Sequence, residues 1–357
     1  MLLRSPLLRR LVSVPAVTIL AVLLLLSAPL WLLASLFVDG YRAVRRQPGA
    51  LWRLWLCALV YAWTSVGGLI WLGASWIATF GGRDRVRLVE SAYRAQSWWA
   101  GTLYRGLVWA FNLRIEVEGD GIIKPGPLVV LIRHVSILDT LLPLNLITRR
   151  HDIRLRYVLK QELRADPALD ICGSRLPNYF VDREASNTAA EIDGIVALAD
   201  DLDKHSGVII YPEGRLATAA SRAKAAQRAL TQHPDLAHLT GSYRHVIAPR
   251  PAGTLALVNA TDCDVLIVGH YGLDKMVGVR SLFDKNLPGS TITVHFTRIP
   301  RSAIPAPATA RWLYERWAAL DDWVDSVAPS PDGTGPGSTQ LPPTGGKVAN
   351  HLAAPPP

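Results

Sequence analysis

Two textures divide the chain: long stretches without a charged residue at the start, then short, closely spaced apolar runs. Leu11 to Val38 is uncharged over 28 residues, and Leu54 to Phe80 over 27. Each exceeds the roughly 20 helical residues needed to cross a hydrocarbon core of about 30 Å, so residues 1–85 read as a membrane anchor, an N-terminal transmembrane helical hairpin. Arg4, Arg9 and Arg10 resemble the basic start of a secretory signal, but the apolar run that follows is about twice a usual signal core. The second run carries Gly67, Gly68 and Gly73 among Trp55, Trp63, Trp71 and Trp76. A re-entrant or interfacial segment is therefore the alternative to a full span.

From Val86 to about Asn112 the pattern becomes that of an amphipathic helix, with Trp98, Trp99, Tyr104 and Trp109 among arginines. Short β-type runs follow at Leu128–Ile132, Tyr157–Leu159, Tyr179–Val181, Val208–Tyr211 and Val265–Val268. Helical patterns at Ala185–Asp203 and Ala219–Gln232 separate some of them. Alternation of this kind predicts an α/β domain around a largely buried sheet. Thr291–Thr297 alternates polar and apolar residues, as an edge strand does. A last helix over Ala310–Val327 aligns Leu313, Trp317, Leu320, Val324 and Val327 on one stripe. Residues 328–357 hold eight Pro and five Gly, a composition that predicts a disordered tail. The domains are then 1–85, 86–327 and 328–357.

Charge sharpens the first boundary. The net charge is +9, and residues 1–110 account for all of it, with twelve Arg against Asp39, Asp84 and Glu90. Arginines that flank apolar runs attract anionic headgroups, whereas a nucleic-acid binder spreads basic surface over its folded domain. With two spans, arginines before the first and after the second (Arg83, Arg85, Arg87, Arg94) outnumber those between them, which predicts that the bulk of the chain lies in the cytoplasm. Cys57, Cys172 and Cys263 are too scattered for a disulfide scaffold or a cysteine metal site.

Candidate chemistry begins after the Leu128–Ile132 run, where His134 is followed five places later by Asp139. Five helical steps leave two residues about 140° apart, so the pair meets only if His134 sits on a loop and Asp139 in the first turn beyond it. The carboxylate would then hold one imidazole nitrogen and leave the other to accept a proton. Tyr211-Pro212-Glu213-Gly214-Arg215 ends a second buried run in a turn where glycine permits close backbone approach and Arg215 offers a fork suited to phosphate. Phe180-Val-Asp-Arg183 ends a third run in an arginine, and Lys160 lies near a basic stretch; a solvated face against anionic lipid is the alternative for that stretch. Ser136 reads as a helix cap rather than a nucleophile. The chain has no Gly-x-Ser-x-Gly elbow, no His-Glu-x-x-His pair and no Walker loop, so no metal site is expected.

The ordered blocks His134-x-x-x-x-Asp139, Phe180-Val-Asp-Arg183 and Tyr211-Pro-Glu213-Gly214, with Leu159-Lys160-Gln-Glu162-Leu163 between the first two, resemble the glycerolipid acyltransferase family, lysophosphatidate type. Three departures accompany the resemblance. Arg133 stands where the family usually has Asn, Pro177 where it has Gly, and Arg215 one place ahead of the usual third-block Arg. The resemblance implies a glycerolipid-acyltransferase-like α/β domain with a mostly buried mixed sheet flanked by helices. It implies transfer of a fatty acyl group from acyl-CoA or acyl carrier protein to a lysophospholipid hydroxyl, without a further cofactor. His134 would be the general base and Asp139 its orienting partner; Arg183, Arg215 and Lys160 would meet phosphate, with Glu213 and Gly214 at the glycerol. Another lyso-lipid, amino-acid lipid or glycolipid acceptor is the competing expectation, and a non-catalytic lipid-binding protein a third.

Overall fold

Pro29 interrupts the first apolar run. It occupies the second position of helix α2 (Ala28–Val44) and has no N–H to return to the preceding turn, so helix α1 (Pro6–Leu26) ends at Ser27. The Ser27 N–H and hydroxyl both bond the Leu23 carbonyl, at 2.9 and 2.5 Å. The second run forms helix α3 (Leu51–Ala78), and α4 (Arg85–Phe111) follows, capped by the Asp84 carboxylate and closed by left-handed Asn112. The computed structural model describes residues 5–182, 188–276 and 279–328. Arg4, Arg183, the start of the Ala185–Asp203 pattern and tail residues 329–357 lie outside them.

Helices α1 and α3 are each long and apolar enough to cross a membrane, and most of the apolar stretch of each is not buried within the protein. Neither is thus a core helix of the domain. Yet α3 is held along its length: Arg53 bonds the Ala110 carbonyl at 2.7 Å, Tyr61 meets Asp166, and Arg175 reaches the Leu72 carbonyl at 2.8 Å. Gly67 makes the closest approach possible, because a Cβ there would lie 2.8 Å from the Trp98 ring of α4. A second tie involves charge. Arg9 and Arg10 of α1 both pair with Asp170, at 2.6 and 2.7 Å, and Asp170 is fully buried.

The sheet has seven strands in the order β1-β7-β6-β2-β5-β3-β4. Their ranges are β1 Arg114–Glu118, β2 Leu128–Ile132, β3 Arg154–Lys160, β4 Tyr179–Val181, β5 Ser206–Ile210, β6 Asp264–Tyr271 and β7 Thr291–Ile299. All neighbours run parallel except β6 and β7, so the sheet is mixed. Every residue of β2 and β5 is buried, which explains their unbroken apolar runs.

One expectation needs correction: β7 is not an edge strand but lies between β1 and β6. Its alternation arises from one-sided cover, with Ile292, Val294 and Phe296 inward and His295 stacked on Trp323 outside. Strand β1 takes the edge, and its Arg-Ile-Glu-Val-Glu alternation is too charged to stand out as a strand.

Helices cover both faces. Phe111 of α4 packs with Ile147 and with Val130 and Ile132 of β2 on one side. On the other, Val129 and Leu131 meet Leu257 of the Pro251–Asn259 helix and Leu313 and Trp317 of the Ala310–Val327 helix. Leu313, Trp317, Leu320 and Val324 are buried as the stripe requires, while Val327 is half-buried.

Candidate active site

The parallel strands β2 and β5 both end at one edge of the sheet, the position where open α/β sheets bind ligands. His134 lies on the turn after β2. Asp139 follows within the short helix Ile137–Thr140. The imidazole Nδ1 stands 2.9 Å from Asp139 Oδ1, and Oδ2 accepts the Val135 and Ser136 main-chain N–H groups at 2.7 and 2.9 Å. A carboxylate only accepts hydrogen bonds, so Nδ1 carries the proton and Nε2 is the nitrogen free to take another. The ring is further held against Tyr211, with centroids 4.6 Å apart.

Ser136 is committed elsewhere: its hydroxyl, fully buried, donates to the Met276 carbonyl at 2.6 Å and accepts the Leu138 N–H. It caps the helix, as the sequence suggests.

The Pro-Glu-Gly turn braces this histidine from behind. Glu213 has no exposed surface, and its carboxyl accepts the His134 N–H at 3.2 Å, the Trp317 indole N–H at 3.2 Å and the Ile247 N–H at 3.4 Å. Burial pushes its pKa up to about 8, against the Arg133 charge and those donors. The group expected at the glycerol is therefore turned away from the cavity and into the protein. Gly214, at φ +70°, makes the left-handed turn that a side chain would strain, and it does line the cavity. Ala217 N–H closes the brace on the His134 carbonyl at 2.9 Å.

The cavity encloses about 450 Å³ beside His134 and Tyr211. Val158, Leu159, Ile192, Ile195, Ile210 and Leu216 give it an apolar wall, and Lys160 and Arg250 are its cations. Lys160 thus joins His134 and Gly214 in one space. Arg215 is half-buried outside the lining, its Nε without a partner. Arg183 lies outside the described residues, so nothing places it. Among the described residues, no three His, Cys, Asp or Glu side chains assemble as a metal ligand set.

Two features stand out to which the sequence alone assigns no role. Arg133 is almost wholly buried, and its guanidinium bonds the carbonyls of His270 at 2.6 Å and His245 at 2.8 Å while pairing with both oxygens of Asp274. Against the cost of burial, Arg133 keeps the Asp274 carboxyl below its ordinary range. Behind it, burial pulls the His270 imidazole down, and His270 Nε2 bonds the Arg133 carbonyl at 3.0 Å. The departure at position 133 marked the site, but its partner lies 141 residues away. The second feature is Arg250, which lines the cavity and whose N–H bonds the Pro212 carbonyl at 2.8 Å.

Residues 114–267, which contain both members of the pair, match the acyltransferase family. Lysophosphatidylinositol acyltransferase 10 of Caenorhabditis elegans is 26% identical over 246 residues, covering 63% of this chain and 59% of that protein. Lysocardiolipin acyltransferase 1 of Gallus gallus is 23% identical over 227 residues, covering 60% and 58%. The similarity to acyltransferases thus covers the part of the chain that holds the His134–Asp139 pair. It spans less than two thirds of the length of these curated relatives. A solved structure, the 1-acyl-sn-glycerophosphate acyltransferase PlsC from Thermotoga maritima, is similar over 75% of this chain and 94% of its own, with 13% identity and a TM-score of 0.47. Within the matched range fall His134, Asp139, Lys160, Glu213, Gly214, Arg215 and Arg250, whereas Asp274, the partner of Arg133, lies beyond it.

Proposed function

We propose that this protein transfers a fatty acyl group from acyl-CoA or acyl carrier protein to the free hydroxyl of a lysophospholipid, with 1-acylglycerol 3-phosphate as acceptor and phosphatidate as product. The observation that carries the reading is the 2.9 Å contact from His134 Nδ1 to a fully buried Asp139, which leaves Nε2 available beside an apolar cavity. Nε2 takes the acceptor hydroxyl proton as the oxygen bonds to the thioester carbonyl carbon. Asp139 stabilises the imidazolium that results. When the tetrahedral intermediate collapses, the carbon–sulfur bond breaks and the imidazolium proton passes to the departing thiolate. The products are an ester and a free thiol, with no acyl-enzyme, in keeping with the bound hydroxyl of Ser136.

Substrates with acyl chains reside in or at bilayers, and the exposed apolar surfaces of α1 and α3 suit a domain that works there. The arginine distribution supports a cytoplasmic catalytic domain.

A second acceptor class is favoured by one observation: the relatives act, by their names, on lysophosphatidylinositol and lysocardiolipin. The test uses the purified full chain, labelled oleoyl-CoA and a panel of lyso-lipids. Phosphatidate as the main labelled product supports the reading. Exclusive acylation of a lysophosphatidylinositol or lysocardiolipin moves the acceptor to the second class, and no labelled ester with any acceptor contradicts acyl transfer.

A further inference from the structure

The peptide that joins Arg133 to His134 is gripped at both of its polar atoms. Its N–H donates to Glu213 at 3.2 Å, and its carbonyl accepts a hydrogen bond at 3.0 Å from Nε2 of His270, near the end of β6. The second grip is reciprocal, because the Arg133 guanidinium donates to the His270 carbonyl at 2.6 Å. His270 has no exposed surface and takes no part in lining the cavity. A carbonyl only accepts, so the His270 proton sits on Nε2, and Nδ1, buried without a partner, keeps its lone pair. A second proton would leave an orphan N–H in the interior and set a second cation 3.8 Å from Asp139 Oδ2, in competition with His134 for that carboxylate. Burial, the largest effect, and the Arg133 charge hold the ring neutral against Asp139, Asp274 and the bond to the Arg133 carbonyl.

The imidazole of His134 hangs from this peptide by a single Cα, so a tilt of the peptide plane swings Nε2 away from the acceptor hydroxyl. A misplacement of about 1 Å can cost about 10² in rate. We propose that His270 is a positioning residue for acyl transfer: with Glu213 it fixes the plane of the Arg133–His134 peptide and so aims Nε2 of His134 into the cavity. The inference rests on the acyl-transfer reading and adds to it a residue that touches neither substrate.

The experiment measures kcat and KM with labelled oleoyl-CoA and 1-acylglycerol 3-phosphate for the full chain and for His270→Leu, His270→Gln and His270→Asn. The Gln amide nitrogen reaches the place of imidazole Nε2, the Asn nitrogen only that of Nδ1, and Leu donates nothing. The aim of the base acts in the transition state, so the Leu and Asn variants should lose at least about tenfold in kcat with both KM values within about twofold of wild type. His270→Gln should keep kcat within about threefold. Equal losses in the Gln and Asn variants, wild-type kcat in His270→Leu, or a loss that falls on KM overturns the assignment. If His270→Leu fails to fold, the Gln and Asn variants decide on the same terms. Should the wild-type chain acylate no lyso-lipid, the functional reading fails separately, and the low-field proton resonance of His134 Nδ1–H against Asp139 decides. Its retention in the wild type and His270→Gln with loss in His270→Asn supports the grip, and the same resonance in all three overturns it.

Discussion

Glu213 accepts the main-chain N–H of His134 at 3.2 Å, so the third sequence block of this domain acts on the first through the backbone. The same carboxyl holds Trp317 of the last helix and Ile247 of the loop before the Pro251–Asn259 helix. One buried group thus sets the height of the histidine relative to three elements.

Its pH behaviour follows. With a native pKa near 8 against an ordinary 4.5, Glu213 retains its proton in the folded state over a range where the unfolded chain loses it. Its contribution is fully present below about 4.5 and is lost as pH rises towards 8. Urea midpoints between pH 5 and 9 are expected to fall with rising pH, and Glu213→Gln to flatten that slope. An equal slope in the variant would contradict the assignment.

Asp139→Asn leaves an oxygen for the Val135 or Ser136 N–H but removes the charge that stabilises the imidazolium. We expect kcat to fall by about 10² to 10⁴, the range that positioned acid–base groups supply, with circular dichroism unchanged. A smaller loss in kcat would separate Asp139 from the proton transfer.

The Arg133–Asp274 pair joins a buried guanidinium to a carboxylate that is 31% exposed. Asp274→Ala leaves a guanidinium that is 1% exposed without its counter-charge, and the loss should reach about 3 to 5 kcal/mol. The Arg133→Met/Asp274→Ala double variant should recover part of that stability, which chemical denaturation of the wild type and both variants measures.

Gly67→Leu drives a side chain into Trp98, where even a Cβ comes within 2.8 Å. Overpacking of this kind costs about 1 to 3 kcal/mol, so α3 should loosen from α4. Faster limited proteolysis between Arg42 and Arg53, read by mass spectrometry, checks it.

Much of the architecture is legible where one residue's neighbours in sequence decide its state. The strands β2 and β4, the Ala219–Gln232 helix and the Ala310–Val327 helix fall on their predicted ranges because each has its own period and its own ends. The break at Ser27 was legible in principle, since Pro29 forbids a bond, but an unbroken apolar run conceals it. The β1 edge and the interior place of β7 depend on which strands pair across 177 residues of chain. The site divides the same way. His134 and Asp139 meet through local turn geometry that spacing constrains, whereas the inward turn of Glu213 and the Arg133–Asp274 pair arise from tertiary packing alone.

The most direct test of the account is single-turnover acyl transfer by His134→Gln, measured with labelled oleoyl-CoA and 1-acylglycerol 3-phosphate. The account predicts a rate lower by at least about 10² than wild type, with the same melting profile and the same partition into vesicles. A rate within a factor of two of wild type would contradict it.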